Sequence, residues 1–311
     1  MADGTGIAWT DATWNIVTGC TPVSEGCRNC YAATLAAGRL QNHPSRQGLT
    51  NLTKDGRAVF NGTIRVNGQW LDQPIRWERK RRIFVAAHGD LFHENVPDDF
   101  VLSVFRVAYR NPRHTYQVLT RRPDRLARFA ARLCWDERRG DLYLAQHGGR
   151  PWLPTVRNVW CGVACESQYT LEKRVHHLLA APVGLRWLCL EPLLEPVKLG
   201  QWTLSEYERK EGTDPLASRA KLDWVAVGGE YGPAARPFHL EWLPRLMADC
   251  VAGRVPLYVR QLGGHLTIAG QRVPLLDKTG ATFEAEWPYQ YRVRQWPAGF
   301  RFEDEVPSVE V

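Results

Sequence analysis

No apolar run in this sequence approaches the roughly 18 residues a membrane-crossing helix needs, so no transmembrane span is expected. The start, Met1-Ala2-Asp3-Gly4, lacks a basic region followed by an apolar stretch, so no secretory signal is expected. Both absences point to a cytoplasmic, reducing setting without a membrane partner, where disulfide frameworks are rare. The eight cysteines are then expected as thiols or metal ligands. Internal repeats and low-complexity segments are also missing, which sets aside repeat arrays.

What is present is an ordinary globular composition: 311 residues, 44% hydrophobic, enough to bury a large core. The length lies within the range of a single α/β barrel. Thirteen tryptophans suit either core packing or stacking platforms for bases or a cofactor. The net charge of +7 and pI of about 9.1 favour a polyanionic partner, because cations that neutralise phosphates release counterions. The surplus is mostly Arg, which suits bidentate phosphate contacts. The densest basic run is Glu78-Arg79-Lys80-Arg81-Arg82, which also reads as a solvated loop.

Short apolar runs alternate with amphipathic stretches, the signature of βα units around a mostly parallel sheet. Strands are expected at 13–18, 82–87, 115–119, 158–163, 186–190, 224–227 and 257–259. Helices are expected at 30–41, 98–110, 123–133, 168–181 and 240–252. Pro123 fits a first helical turn and Gly253 a helix C-terminus. The fold class is therefore α/β: an incomplete, open TIM-like βα barrel of six or seven parallel strands over residues 1–264. Insertions are expected at 43–81, with a hairpin around Thr63–Trp70, and at 200–222. Residues 265–311, with Gly280, Trp287, Tyr289, Tyr291 and Trp296, are expected as a C-terminal cap or appendage.

Functional side chains in parallel α/β folds gather at the carboxyl ends of the strands. Here those ends carry Gly19-Cys20, His88-Gly89-Asp90, Thr120-Arg121-Arg122, Glu166, Glu191, Gly228-Gly229-Glu230 with Arg236, and Arg260-Gln261. Converging carboxylates need a cation, a ligand or an Arg partner. An Arg–Glu network and a ligand site are both compatible with that set.

The strongest local signal runs from Gly19 to Tyr31. Cys20, Cys27 and Cys30 have the spacing C-x6-C-x2-C and directly follow the first strand. Soft thiolates select zinc, Cu(I) or iron–sulfur clusters. Structural zinc usually takes four protein ligands, and no fourth Cys or His stands nearby in a paired spacing, His43 being the nearest. Three ligands leave one metal position open, which in a [4Fe–4S] cluster is an iron able to bind a small molecule. The remaining cysteines, Cys134, Cys161, Cys165, Cys189 and Cys250, fall in helix or strand patterns and read as small core residues.

With these residues in view, the sequence resembles the phage Gp37/Gp68 (three-Cys-motif) family, which looks like a divergent branch of the radical S-adenosylmethionine (SAM) superfamily. The matching segments are Trp9–Asn15 before the Cys loop, Gly89–His93, Val118–Pro123, Leu190–Leu194, Gly228–Gly232, Ala235–Pro237 and Arg260–Gly263. The Cys loop is longer than that superfamily's common C-x3-C-x2-C spacing. The resemblance implies a [4Fe–4S] cluster on Cys20, Cys27 and Cys30, with SAM as cosubstrate. It implies reductive cleavage of SAM to a 5′-deoxyadenosyl radical, with an electron donor such as flavodoxin or ferredoxin. By position, Asp90 would take the methionine amino group, Arg122 its carboxylate, and Glu166 or Glu191 the ribose. Gly228 and Gly229 would admit the ligand close to the backbone. Glu230, Arg260 and Gln261, with Arg236, would face the substrate.

The substrate expected from charge, Arg and Trp content and the phage resemblance is a nucleic acid or nucleotide, undergoing modification or repair. A base inside a duplex would have to be flipped out. Two other readings stay open: a zinc- or cluster-containing nucleic-acid-binding module without redox catalysis, and a metal-free barrel hydrolase using Asp90, His93 and Glu230.

Overall fold

The seven longest apolar runs become the strands of one parallel sheet. In a computed structural model of the chain, they are β1 (Ala12–Trp14), β2 (Arg82–Val85), β3 (Thr115–Thr120), β4 (Val159–Ala164), β5 (Leu185–Leu190), β6 (Trp224–Gly228) and β7 (Leu257–Gln261). Their order in the sheet is their order in the chain. That succession defines an α/β fold of the incomplete, TIM-like βα-barrel type, one strand short of the eight of a closed barrel. The structure describes residues 5–147, 149–203, 221–276, 286–297 and 300. Most of the 200–222 insertion and of the tail after 276 lies outside the described residues.

The chain divides into two units, residues 1–164 with 173–186, and residues 165–172 with 187–311. In the first unit, β1 to β4 pair in parallel, Thr13 opposite Phe84, Phe84 opposite Gln117, and Val118 opposite Cys161. Every residue of β4 is buried, as expected of a strand covered on both faces. The helices of this unit are α1 (Tyr31–Ala37), α2 (Asp98–Arg110) and α3 (Pro123–Arg132). Helix α2 shows why such segments form. Pro97 precedes it, Asp98 and Asp99 complement the dipole at its start, and Arg110 does so at its end. Val101, Leu102, Val104, Phe105 and Ala108 recur at helical spacing and are buried, each aromatic or aliphatic side chain contributing about 1.5–3 kcal/mol. Phe105 packs on Phe129 of α3 at 5.4 Å between centroids, and Phe129 on Phe92 at 5.7 Å.

The second unit pairs β5 with β6 and β6 with β7, Leu188 opposite Val225 and Val227 opposite Val259. The helix α4 (Gln168–Ala180) carries the chain across the division, and α5 (Leu243–Ala252) belongs to the second unit. Part of the tail runs along β7: Val259 N donates to Val293 O at 2.8 Å and Gln295 N to Leu257 O at 2.9 Å. Trp296 stacks on Trp224 with centroids 5.3 Å apart, and the Trp224 indole donates to Gln295 O at 2.8 Å. The tail residues 293–296 thus cover an edge strand that would otherwise expose unpaired backbone.

Smaller elements depart from expectation. The first expected strand, 13–18, is two: β1, and the pair Val17–Thr18, which turns away to meet Arg65–Val66 antiparallel. The hairpin expected around Thr63–Trp70 lies earlier, Thr50–Leu52 against Ala58–Phe60, closed by the turn at Gly56 (φ 78°). Residues 68–70 form a 3-10 turn instead. A further hairpin, Leu133–Asp136 against Asp141–Leu144, follows α3.

Candidate metal and ligand site

The cysteine loop is positioned by two glycines. Gly19 has φ 90°, and a Cβ there would lie 2.0 Å from Thr63 O. Gly89 bridges to Gly19 in parallel register, and its own Cβ would lie 2.9 Å from Val17 O. Only the absence of side chains lets β2 and the Cys loop approach this closely. Cys20 O then accepts from Gly62 N at 3.2 Å. A 3-10 turn, Glu25–Cys27, follows, and Cys30, in extended conformation, caps α1. Ala32, Ala33 and Ala36 of α1 pack with Leu49 and Phe60, and Cys20 and Cys30 rest against this cluster. The 43–81 insertion therefore forms the back wall of the cysteine loop.

All three cysteines are half-buried free thiols, whereas Cys134, Cys161, Cys165, Cys189 and Cys250 are buried in the core. Burial, then Asp90, pushes the Cys20 thiol up to about 12, Arg122 opposing and Cys27 and Cys30 adding. Burial likewise raises Cys30, with Cys27 adding to it. The three sulfurs therefore feel one another, and ionising the buried Cys20 and Cys30 thiols is favoured by a nearby positive charge such as a metal. Among the described residues no three His, Cys, Asp or Glu side chains stand together closely enough for a single metal ion. Three soft donors on one loop fit a site-differentiated cluster in kind.

At the end of β2, Asp90 is 5% exposed and saturated. Its Oδ1 accepts from Phe92 N at 2.9 Å and Thr120 Oγ1 at 2.7 Å, its Oδ2 from Arg121 N at 3.2 Å and Arg122 Nη1 at 3.1 Å. Arg122 also reaches Cys20 Sγ at 3.8 Å, Thr21 O at 3.3 Å and Glu94 Oε2 at 2.7 Å. Burial works against its charge, but Asp90, Cys20 and Glu94 prevail, and its pKa is raised. His93 is fully buried; its Nε2 meets Thr21 Oγ1 at 2.8 Å and its Nδ1 accepts from Asn95 N at 3.1 Å. Nε2 thus holds Thr21, the residue after Cys20, while Asn95 N fixes the ring through Nδ1. Glu94 and this anchoring role of His93 were not evident in the sequence; the adjacency of both to Asp90 was the only signal.

In the second unit Glu191 accepts from Arg260 Nη1 and from Gln261 Nε2, the latter at 2.7 Å, and Gln261 Nε2 also donates to Gly229 O at 3.0 Å. Glu230, 6% exposed, takes Arg236 Nη2 at 2.8 Å, Nε at 3.0 Å and N at 3.0 Å. Glu166 is buried, and its backbone is fixed through Thr170 Oγ1 and Leu194 N. Arg260 lies over the Tyr231 ring at 5.9 Å. The glycine pair has a packing reason. A Cβ on Gly229 would lie 2.7 Å from Gly263 Cα, and one on Gly228 3.0 Å from Gln261 Cγ. Asp90, Glu191 and Glu230 each have an Arg partner, so ion pairing accounts for much of the strand-end charge.

Fold and site together define an α/β protein of the incomplete TIM-like barrel type, with a three-cysteine loop at the carboxyl end of its first strand. A family model described as "Protein of unknown function (DUF5131)" matches residues 4–297, and the chain belongs to that family. No curated protein and no solved structure matches it. Among the described residues, no helix is long and apolar enough to cross a membrane.

Proposed function

We propose that this chain is an iron–sulfur enzyme of the radical SAM type acting on a nucleic acid or nucleotide. The observation that carries the reading is the loop itself: Cys20, Cys27 and Cys30, within electrostatic reach of one another at a strand's carboxyl end, with no fourth Cys or His in a paired spacing nearby in the sequence. The likeness to the Gp37/Gp68 family and the radical SAM superfamily supports it. When bound, a [4Fe–4S] cluster with one open iron supplies a single electron for cleaving SAM to a 5′-deoxyadenosyl radical, given a donor such as flavodoxin or ferredoxin.

The chain's own residues have separable tasks in this reading. Cys20, Cys27 and Cys30 are the ligands. Arg122, against Cys20 Sγ, offsets thiolate charge and orients the first ligand. Asp90, its lone pairs filled by protein donors, acts by fixing Arg122 rather than by touching SAM. His93 holds Thr21 and so the loop. Glu166 or Glu191 remains proposed for the SAM ribose, and Glu230, Arg260, Gln261 and Arg236 for the substrate. Net charge of +7 supports a polyanion. Iron and sulfide content after anaerobic reconstitution tests the reading: about four of each per chain is expected, and tight binding of one zinc without iron contradicts it.

A further inference from the structure

A second pair, Arg46 and His88, stands beside this site and is used by none of these tasks. Arg46 is 5% exposed. Its Nε and Nη2 donate to His88 Nδ1 at 3.2 and 2.7 Å, and its Nη1 donates to Ser45 Oγ. Ser45 Oγ lies 2.8 Å from His43 Nδ1. Among the described residues Arg46 has no carboxylate partner, and burial alone pulls its pKa down to about 10. A buried guanidinium held only by neutral groups is costly, and an anion relieves that cost.

His88 shows the same imbalance from the other side. It stands in the turn after β2 on a fixed backbone: its N donates to Asn15 Oδ1 at 3.0 Å and its O accepts from Gly19 N at 3.1 Å. Burial, then Arg46, then Arg39 push its pKa down to about 4. Two guanidinium charges act on the ring and no carboxylate does. Because a guanidinium only donates, Nδ1 is the bare nitrogen and the proton of the neutral ring sits on Nε2. That N–H has no protein partner among the described residues. The half-buried ring, with Tyr31 edge-on at 6.1 Å, therefore presents one fixed donor at a strand's carboxyl end.

We propose that His88, backed by Arg46, is an anion subsite for a phosphate group, His88 Nε2–H donating to a phosphate oxygen. A terminal or inorganic phosphate, with a charge of about −2, can balance two guanidinium charges, where a carboxylate or an internal phosphodiester balances one. The subsite deepens the nucleotide reading but does not require the cluster, so metal-free protein tests it separately. If iron does not bind and phosphate does, only the radical reading fails.

The test is histidine ring 15N NMR of the metal-free, full-length protein during titration with three probes. These are inorganic phosphate, thymidine 5′-monophosphate, and an oligodeoxynucleotide without terminal phosphates. A saturable shift of the His88 Nε2 signal supports the subsite. A response to the first two probes alone marks a free or mononucleotide phosphate, and a response to the third marks a polynucleotide backbone. Arg46→Gln should weaken binding about tenfold or more, the scale of a lost charged hydrogen-bond partner. His88→Phe should abolish it, and His88→Gln, which keeps an N–H donor, should retain part. Should Arg46→Gln not fold, Arg39→Gln should still weaken binding. No shift with any probe, or unchanged affinity in His88→Phe, overturns the proposal.

Discussion

Arg122 uses one nitrogen, Nη1, to join two parts of the site: it lies 3.1 Å from Asp90 Oδ2 and 3.8 Å from Cys20 Sγ. The carboxylate ending β2 and the first cysteine are thereby set against each other through one guanidinium. Asp90 raises the Cys20 pKa and Arg122 lowers it. In metal-free protein at pH 8, Asp90→Asn should speed iodoacetamide labelling of Cys20 and Arg122→Gln should slow it. Equal rates in both variants would show that the coupling is absent. Asp90→Ala, which leaves the exposed Glu94 as the carboxylate on buried Arg122, should also cost about 3 kcal/mol in urea unfolding.

Stability should form a plateau between two pH limits. His88 has its pKa lowered from 6.5 to about 4, and burial also lowers His93 and His114. The unfolded chain therefore gains protons first as pH falls, and stability present above about 6.5 is lost toward 4. The buried thiols of Cys161 and Cys250 are raised from 9.0 to about 12. Their stabilisation is complete below 9 and is lost as pH rises toward 12. Thermal melts of metal-free protein from pH 4 to 11 should show both declines, and a melting temperature still rising below pH 6 would contradict the histidine assignment.

Gly229→Ala should destabilise by about 1–3 kcal/mol through overpacking, since the new Cβ meets Gly263 backbone at 2.7 and 2.8 Å. Gly228→Ala meets Gln261 and Glu191 side chains instead, which can shift, so it should disturb the Glu191–Arg260 pair more than the melting temperature. Equal melting temperatures for Gly229→Ala and wild type would remove the packing explanation.

The alternation of apolar runs placed all seven sheet strands, because each is a buried run bounded by polar or glycine-rich strand ends. Helix α2 was legible to the residue, from Pro97 and the spacing of its buried face. The hairpin at Leu133–Leu144 was not, since it follows α3 without a break and carries an Arg138-Arg139-Gly140 turn in an arginine-rich stretch. In the site, the cysteine triplet was legible because Cys20, Cys27 and Cys30 are neighbours in sequence. The pairings Asp90–Arg122, Glu191–Arg260 and Arg46–His88 join residues far apart in the chain, which local pattern does not reveal. Gly229 read as a place for a ligand, whereas the space over it holds Gly263.

The tail segment after 286 should matter for stability. Trp296→Ala removes the half-buried partner stacked on Trp224 and should cost about 1–3 kcal/mol. Removing residues 287–311 should also bare the β7 edge and promote aggregation, visible by light scattering. A truncated chain that melts and stays monomeric like the full one would show that the edge needs no cover.

The central claim is tested most directly by electron paramagnetic resonance of the reduced, anaerobically reconstituted protein with and without SAM. The account predicts a [4Fe–4S] signal that shifts when SAM is added and disappears in Cys20→Ala, Cys27→Ala and Cys30→Ala, with Cys161→Ala unaffected. A colourless protein holding one zinc, or a cluster signal indifferent to SAM, would contradict it.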